Sequence, residues 1–148
     1  MLDKMLSLAA QAHEGQFDKG GTPYFLHPIA VMNMLPSWVD DEIKQIAIGH
    51  DLLEDTSVTY YDLRSMGFSS RVADGIWTLT KTPSMCKDAY RKNVLSSIDA
   101  MLVKYCDLRH NSDLTRLKGV KDKDIQRLAN YAKFAHEIKE TLGDKILL

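Results

Sequence analysis

The feature that most constrains the fold is a charged segment, HDLLEDT, at residues 50–56, which directly follows an apolar run. That run contains Ile46, Ala47 and Ile48, and its composition is typical of a helix that packs into a protein core. A charge buried in such a core without a partner is very costly, so it has to be paired or bound to a cation. Any fold of this chain must therefore bring polar groups from elsewhere in the sequence to residues 50–56.

Apolar residues recur at helical spacing along the whole chain, and Pro, Gly and capping residues separate the segments. The pattern predicts helices at about residues 3–14, 28–35, 40–53, 59–66, 70–79, 86–97, 98–117 and 122–142. The last helix is expected to carry its apolar stripe on Ile125, Leu128, Ala132, Ala135, Ile138 and Leu142. No segment predicts a strand. We expect one all-α domain over residues 1–148, with seven to eight helices packed irregularly rather than as a four-helix bundle.

The composition argues against several classes of partner. The net charge is −1 and Lys and Arg form no long basic run, so charge alone does not predict binding to nucleic acid or to a membrane surface. No stretch approaches the roughly 18 apolar residues of a membrane span. Cys86 and Cys106 match no CxxC pattern, and we expect a reduced, cytoplasmic compartment. The oligomeric state is not indicated.

Two histidines and two aspartates are candidate ligands of a metal ion. His50 and Asp51 are adjacent at the end of the apolar run, where an imidazole and a carboxylate can flank one point beside the helix. His27 precedes Pro28 at the end of a loop, and Asp107 follows an apolar helical run, which implies a buried carboxylate. A mixed nitrogen and oxygen set suits manganese, iron or zinc better than calcium, and it lacks the thiolates of structural zinc sites.

Each of these residues also has an ordinary structural interpretation when it is considered alone. His27 can be a loop histidine with satisfied hydrogen bonds, and Asp107 can be a helix cap or a partner of Arg109. Glu54 and Asp55 can form a solvated helix end. The metal hypothesis therefore depends on the joint occurrence of the candidates in one particular order.

That order, His, then His-Asp, then Asp, resembles the HD-domain phosphohydrolase superfamily. More closely, the chain resembles the hydrolase domain of RelA/SpoT-type proteins and the small stand-alone alarmone hydrolases. The resemblance covers residues 5 to about 140 and is carried by AAQAHEGQFDKGGTPYFLHPIAV, HDLLEDT, GIWTLTK, YRKNVL and KYCDLRHNSDL. It implies a helical HD domain that uses manganese, or another divalent transition metal, to hydrolyse (p)ppGpp at the 3′ position, releasing pyrophosphate and GDP or GTP.

The resemblance also implies roles for individual residues. The family's metal ligands match His27, His50, Asp51 and Asp107, and its catalytic pair matches Glu54 and Asp55. One carboxylate of that pair would orient or deprotonate water and the other would handle the leaving group's proton, and spacing does not decide which does which. The candidate substrate-binding residues are Lys19, Tyr24, Lys81, Arg91, Lys104 and Asn111. For Tyr24, Lys81, Arg91 and Lys104, a packing aromatic or a solvated charge is an equally good interpretation.

The chain departs from the family at two places near the proposed substrate. Asp18 stands where many relatives have an Arg that helps to stack on guanine, and the Arg-Leu of the family's Asp-Arg-Leu-His-Asn run is exchanged to Leu108-Arg109. Three alternatives therefore stay open beside the (p)ppGpp hydrolase. They are an HD phosphohydrolase acting on another nucleotide (NADPH, a deoxynucleotide or a signalling nucleotide), a non-catalytic nucleotide-binding module, and a structural helical protein.

Overall fold

The computed structural model describes residues 1–146, which form α-helices joined by short loops. The α-helices in this part of the chain are α1 (Leu2–Ala12), α2 (Leu26–Met34), α3 (Asp41–Gly49), α4 (Leu52–Asp55), α5 (Tyr60–Ser65), α6 (Ser70–Thr78), α7 (Lys87–Leu95), α8 (Ile98–Asn111) and α9 (Asp122–Leu142). Short 3₁₀ turns lie at Leu114–Arg116 and Gly143–Ile146. If the single turn of α4 is counted with α3, the described residues contain eight α-helices, and the prediction of an all-α fold is confirmed.

Extended structure in the described residues is limited to one isolated antiparallel bridge between Phe17 and Pro23. It closes the loop between α1 and α2. None of the helices described by the structure is both long enough and apolar enough to span a membrane.

Side-chain caps begin several helices where the sequence predicts them. Asp40 accepts a hydrogen bond from the Ile43 N–H at the start of α3, and Ser69 caps α6 in the same way. Thr59 and Asp62 form a reciprocal capping box at the start of α5, within the helix predicted at about residues 59–66. These helix starts are determined locally, because each cap pairs a side chain with backbone only three residues away.

Two predicted helices end at least one full helical turn earlier than expected. The helix predicted over residues 40–53 ends at Gly49, because the His50 imidazole bonds the Ala47 carbonyl (Nδ1–O, 2.6 Å), which a continuing helix would need for its own backbone. The helix predicted to reach residue 117 ends at Asn111, where the Ser112 hydroxyl donates to the Leu108 carbonyl (2.6 Å). In both places a side chain competes with the helical hydrogen-bond ladder.

The apolar stripe predicted for α9 is partly wrong. Ile125 and Ala132 are exposed, whereas Tyr131 and Phe134 are half-buried and pack toward the core. The reason is that α9 packs against α8 and α7, while residues along its N-terminal half line an open cleft.

Helix α8 crosses the centre of the molecule and packs against α2, α3, α6, α7 and α9. Its buried residues are Ala100, Met101, Leu102, Val103, Cys106, Asp107 and Leu108. Full burial of one large aliphatic side chain contributes about 1.5–3 kcal/mol, so α8 is held firmly in the core. Because α8 lies in the core, it also places the Asp107 carboxylate in the protein interior.

Two glycines allow α3 and α6 to approach closely. A Cβ atom on Gly49 would lie 2.6 Å from Ile76 Cδ1, and a Cβ atom on Gly75 would lie 2.4 Å from Ile46 Cδ1. Both distances are shorter than a carbon–carbon contact. The contact sets the end of α3 against α6 and thereby the position of His50, the next residue.

Candidate metal centre

The four predicted ligands, which are distant in sequence, lie together in the structure. His27 Nε2 is 2.8 Å from Asp107 Oδ1, and His50 Nε2 is 3.4 Å from the same oxygen. His50 Nε2 is also 3.0 Å from Asp51 Oδ2. The side chains of His27, His50 and Asp107 are 2–7% exposed, so the group lies in the interior. It joins α2, the turn after α3, and α8.

The hydrogen bond that His50 makes to the backbone determines which of its nitrogens carries a proton. Nδ1 faces the Ala47 carbonyl, which only accepts, so Nδ1 carries the hydrogen. In a neutral ring Nε2 then presents a lone pair, and this lone pair faces oxygens of Asp51 and Asp107. His50 Nε2 is buried and has no hydrogen-bond partner in the described part of the chain. A cation between these atoms would relieve the repulsion.

The spacing and chemistry of these atoms fit a divalent cation. Ligand atoms bound at about 2.1 Å and at right angles are separated by about 3.0 Å, and the measured separations are 2.8, 3.0 and 3.4 Å. Donor atoms of His27, His50 and Asp107 all lie within 4.8 Å of one another. Imidazole and carboxylate ligands without thiolates are typical of a divalent transition-metal site.

Neighbouring side chains hold the candidate ligands in place. Asp107 accepts hydrogen bonds from Lys104 Nζ (2.9 Å) and Asn111 Nδ2 (3.0 Å), and the Tyr24 hydroxyl donates to Asp51. Three residues predicted to bind substrate, Tyr24, Lys104 and Asn111, are thus bonded to the candidate metal ligands themselves. Ligand orientation by an outer layer of hydrogen bonds is common in metal sites.

The electrostatics of the buried group favour a positive charge at its centre. Burial alone would lower the pKa of His50, but the charges of Asp51 and Asp107 outweigh it and raise that pKa. Burial opposes ionisation of Asp107 as well, yet the Lys104 charge, the hydrogen bond from His27 and the nearby His50 ring hold its pKa well below the usual value. The carboxylates therefore stay ionised and attract a cation.

His110 also contacts this centre, and the sequence did not indicate that contact. Its Nδ1 lies 2.7 Å from Nδ1 of His27, on the side of the ring away from Asp107. Burial, together with the charge of Arg116, lowers the pKa of His110 to about 4, so its ring is neutral near pH 7. A neutral ring can accept the His27 Nδ1–H, which leaves His27 Nε2 free for a metal.

A second acidic group adjoins the centre. Donor oxygens of Asp51, Glu54 and Asp55 all lie within 4.8 Å of one another. Glu54 accepts a hydrogen bond from the backbone N–H of Lys81 (2.7 Å), so at this point Lys81 contributes its backbone rather than its amino group. Burial, followed by the charges of Asp51 and Glu54, raises the pKa of Asp55 to about 6. A carboxylate with such a pKa can exchange protons near neutral pH.

His13 and Gln16 hold the end of α4 in place, and the sequence did not indicate a role for either residue. His13 is buried, and its Nδ1 is 2.8 Å from Gln16 Oε1. Gln16 Nε2 in turn donates to the Asp55 carbonyl (3.0 Å). Both residues belong to the AHEGQ part of a stretch that carries the family resemblance, and this was the only indication of them in the sequence.

Two cavities open near the centre. The smaller, here called the loop cavity, has a volume of about 300 Å³ and is lined by residues that include Phe17, Lys19, Tyr24, Asn111, Arg116 and Tyr131. The larger, here called the basic cleft, has a volume of about 790 Å³, and its lining includes Lys104. Lys19, Tyr24 and Asn111 therefore lie at one cavity and Lys81, Arg91 and Lys104 at the other.

The basic cleft is more cationic than the sequence indicated. Its basic lining residues are Lys81, Lys87, Arg91, Lys104, Lys123, Arg127 and Lys133, against a single acidic one, Glu137. Four of these seven were not predicted to bind substrate, because α7 and α9 are separated in sequence and come together only in the folded chain. Arg91 is already paired with Glu137 (2.6 Å) and Asp88 (2.8 Å), so its charge is balanced within the protein.

Comparison with known proteins finds relatives that are named for the synthesis or hydrolysis of (p)ppGpp. SpoT of Escherichia coli K12, a bifunctional (p)ppGpp synthase/hydrolase, is 34% identical over 146 residues, which cover 88% of this chain and 21% of SpoT. The chain thus spans about a fifth of the length of the curated relatives that match it first. MESH1 of Danio rerio, a guanosine-3′,5′-bis(diphosphate) 3′-pyrophosphohydrolase, is 31% identical over 153 residues, covering 96% of this chain and 84% of MESH1.

The solved structures give a similar result. A structure described as a metazoan orthologue of SpoT that hydrolyses ppGpp matches with a TM-score of 0.78 and 25% identity, covering 98% of this chain and 86% of the other. A scan against protein-family models finds no match. The similarity extends over nearly the whole chain and includes the helices that carry the candidate ligands.

Proposed function

Because this chain belongs to the RelA/SpoT-type family of HD hydrolases, we propose that it removes the 3′-diphosphate of guanosine 3′,5′-bis(diphosphate) and of its 5′-triphosphate analogue. Relatives that carry the name 3′-pyrophosphohydrolase support this substrate class. The observation that carries the proposal is the convergence of His27, His50, Asp51 and Asp107 around the buried Nε2 of His50, which has no hydrogen-bond partner in residues 1–146. Such a centre suits hydrolysis of a phosphate ester.

The proposed cofactor is manganese, held by those four side chains. A bound divalent cation lowers the pKa of water and screens phosphate charge. The protein's own contribution is to keep both imidazoles in the tautomer that frees Nε2, through the Ala47 carbonyl for His50 and through His110 for His27. Lys104 and Asn111 hold the Asp107 carboxylate in place from its other sides.

Asp55 is the proposed proton acceptor. In the reaction, a water oxygen bonds to the phosphorus attached to the 3′ oxygen, that phosphorus–oxygen bond breaks, and the 3′ oxygen takes up a proton. Asp55, whose pKa is raised to about 6 by burial and by the charges of Asp51 and Glu54, would accept the proton that water loses. Glu54, fixed by the Lys81 N–H, would orient the water or return a proton to the 3′ oxygen.

The two cavities accommodate the remaining parts of the substrate. The basic cleft would hold its other phosphates, because seven basic residues face one glutamate there and Lys104 connects the cleft to Asp107. In this proposal Lys81 binds phosphate, and Arg91, already paired, forms part of the wall. Lys19, Tyr24 and Asn111 lie at the loop cavity and would contact the nucleoside.

The test is pyrophosphate release from ppGpp by protein treated with a chelator and then assayed with and without manganese. We expect turnover only by wild type with metal, and a loss of more than about a hundredfold in Asp51→Ala, since losing an outer-layer residue alone costs 10–100-fold. Asp99→Ala is the control, because Asp99 lies on the same helix as Asp107 but in its first turn, where it bonds Arg71.

Other outcomes of this experiment would favour the alternatives. Equal turnover by wild type and Asp51→Ala would refute the assignment of Asp51. Tight binding of ppGpp without cleavage in the presence of metal would favour a non-catalytic binding module. Faster release of phosphate or pyrophosphate from NADPH or a deoxynucleotide than from ppGpp would favour an HD phosphohydrolase of different specificity.

A further inference from the structure

Asp18, which the sequence left without a clear role, is fully engaged within the protein. Its Oδ1 accepts hydrogen bonds from the backbone N–H groups of Gly20 and Thr22, each at 2.9 Å. Its Oδ2 lies 3.2 Å from Nη2 of Arg116. A carboxylate with these three partners is not free to bind the edge of a base. Its function is to hold the loop and the arginine together.

Arg116 is fixed from two directions. Nη2 contacts Asp18, and Nη1 donates to the backbone carbonyl of His110 at 2.9 Å. The loop lies directly on the segment that carries Arg116, since a Cβ atom on Gly20 would be 2.1 Å from the Arg116 carbonyl oxygen. The guanidinium therefore has a defined place between the loop and the C-terminal end of α8.

The loop cavity differs in chemistry from the basic cleft. Its lining contains the rings of Phe17, Tyr24 and Tyr131 together with the Arg116 guanidinium, whose charge Asp18 balances. Aromatic rings and a guanidinium plane are surfaces on which nucleobases stack. The cleft, with its excess of cations, suits phosphates, whereas the loop cavity suits a flat heterocycle.

We propose that Arg116 selects the nucleobase of the substrate and that Asp18 is the positioning residue that fixes its guanidinium. The inference rests on the proposed function, because it takes the ligand to be a nucleotide. Two of the five N–H donors of Arg116 are used by Asp18 and His110, and the other three have no acceptor among residues 1–146. Such donors match O6 and N7 of guanine, whereas adenine presents an amino group in place of O6.

The test compares equilibrium binding of GDP and ADP to the full chain loaded with manganese. We expect wild type to prefer GDP by about tenfold, the selectivity of one good arginine–guanine contact. Arg116→Ala should abolish the preference, and Arg116→Lys, which keeps the charge but not the planar fork, should do the same. In Asp18→Asn the amide oxygen can still accept from the Gly20 and Thr22 N–H groups, but the amide NH2 then faces Arg116 and cannot bond it. This variant should therefore reduce the preference for GDP without abolishing it.

A matched control and two further readouts separate base selection from structural damage. Arg64→Ala removes another arginine that donates to a backbone carbonyl, that of Phe68, away from both cavities, and it should leave the GDP preference unchanged. The rise in melting temperature on adding manganese should be equal in wild type and Arg116→Ala. With ppGpp as substrate, Arg116→Ala should raise KM and leave kcat nearly unchanged.

The possible outcomes distinguish this inference from the proposed function. An Arg116→Ala protein with the wild-type GDP-to-ADP ratio, or a wild type without preference, would overturn the role of Arg116 whatever the enzyme cleaves. Selective GDP binding that is lost in Arg116→Ala would support it, even if wild type failed to release pyrophosphate from ppGpp. That failure would refute the proposed function alone.

Discussion

Two clusters of charged side chains lie toward opposite ends of α3 and α8, and their bonding differs. At the N-terminal ends of these helices, Arg71 donates to both oxygens of Asp99 (2.8 and 3.0 Å) and to Asp40 (2.7 Å), and all three side chains are partly exposed. Around Asp107 the groups are buried, and His50 Nε2 has no hydrogen-bond partner in residues 1–146. The Arg71 cluster is complete within the protein, whereas the Asp107 cluster contains a buried nitrogen, His50 Nε2, that no group in the described residues bonds.

This difference indicates which cluster serves binding and which serves stability. Exposed ion pairs contribute little, usually less than about 1 kcal/mol each, and need no further partner. Buried polar groups that are imperfectly paired are costly, and proteins retain them mainly at functional sites. The presence of charge is therefore a poor indicator of a site, whereas buried charge with an unmet partner is a good one.

The largest effect is expected from Asp107→Ala. This change leaves the buried Lys104 ammonium without its carboxylate and removes a proposed metal ligand. Loss of one partner from a buried pair costs about 3–5 kcal/mol, so the free energy of unfolding in urea should fall by about that amount, with no pyrophosphate release. The matched change Asp99→Ala should cost less than about 1 kcal/mol. Equal losses in the two variants would remove the distinction between the clusters.

The next effect is expected from His110→Ala. Without His110, Nδ1 of His27 loses its partner and the ring is no longer held in the tautomer that frees Nε2. Loss of such an outer contact typically lowers metal affinity 10–100-fold, which a manganese titration followed by activity or melting temperature would detect. His136→Ala is the control, because His136 is exposed on α9. An unchanged manganese affinity would mean that His110 does not orient His27.

The candidate ligands could be predicted because each has a local mark in the sequence. His50 and Asp51 follow an apolar helix, His27 precedes a proline, and Asp107 follows an apolar run. These sequence features indicate that the side chains are buried, and a buried polar side chain needs a hydrogen-bond partner, an opposite charge or a metal ion. The geometry among them required the structure, since the turn at His50 arises from a side-chain bond to Ala47 that no periodicity reveals.

The substrate surfaces were less predictable, because their residues meet only across elements. Lys123 and Arg127 on α9 look like ordinary solvated charges until α9 is placed beside α7 and α8. Arg116 lies 98 residues from Asp18 in sequence, so no local pattern could pair them. Asp18 itself could be singled out only by its departure from the family, and its role depends on a partner that the resemblance did not include.

The two glycines that set α3 against α6 offer a test of how the Asp107 cluster is positioned. Gly75→Ala should lower the free energy of unfolding by about 1–2 kcal/mol, because its Cβ would press on the buried Ile46. Gly49→Ala should cost less, because its Cβ would meet the ends of the Ile76 and Met5 side chains. Gly49→Ala should nevertheless weaken manganese binding more than Gly75→Ala does, since Gly49 is the residue directly before His50. Equal changes of manganese affinity in both variants would contradict this local control.

The smallest effect is expected from Arg71→Ala. It removes every ion pair of the exposed cluster at once, but the carboxylates of Asp40, Glu42 and Asp99 are accessible enough to regain water. The free energy of unfolding should fall by about 1 kcal/mol or less at low salt, and the difference from wild type should shrink as salt is added, because exposed charges are screened. Pyrophosphate release should not change. A larger loss that is insensitive to salt, or a loss of manganese binding, would show that this cluster also supports the buried one through α3 and α8.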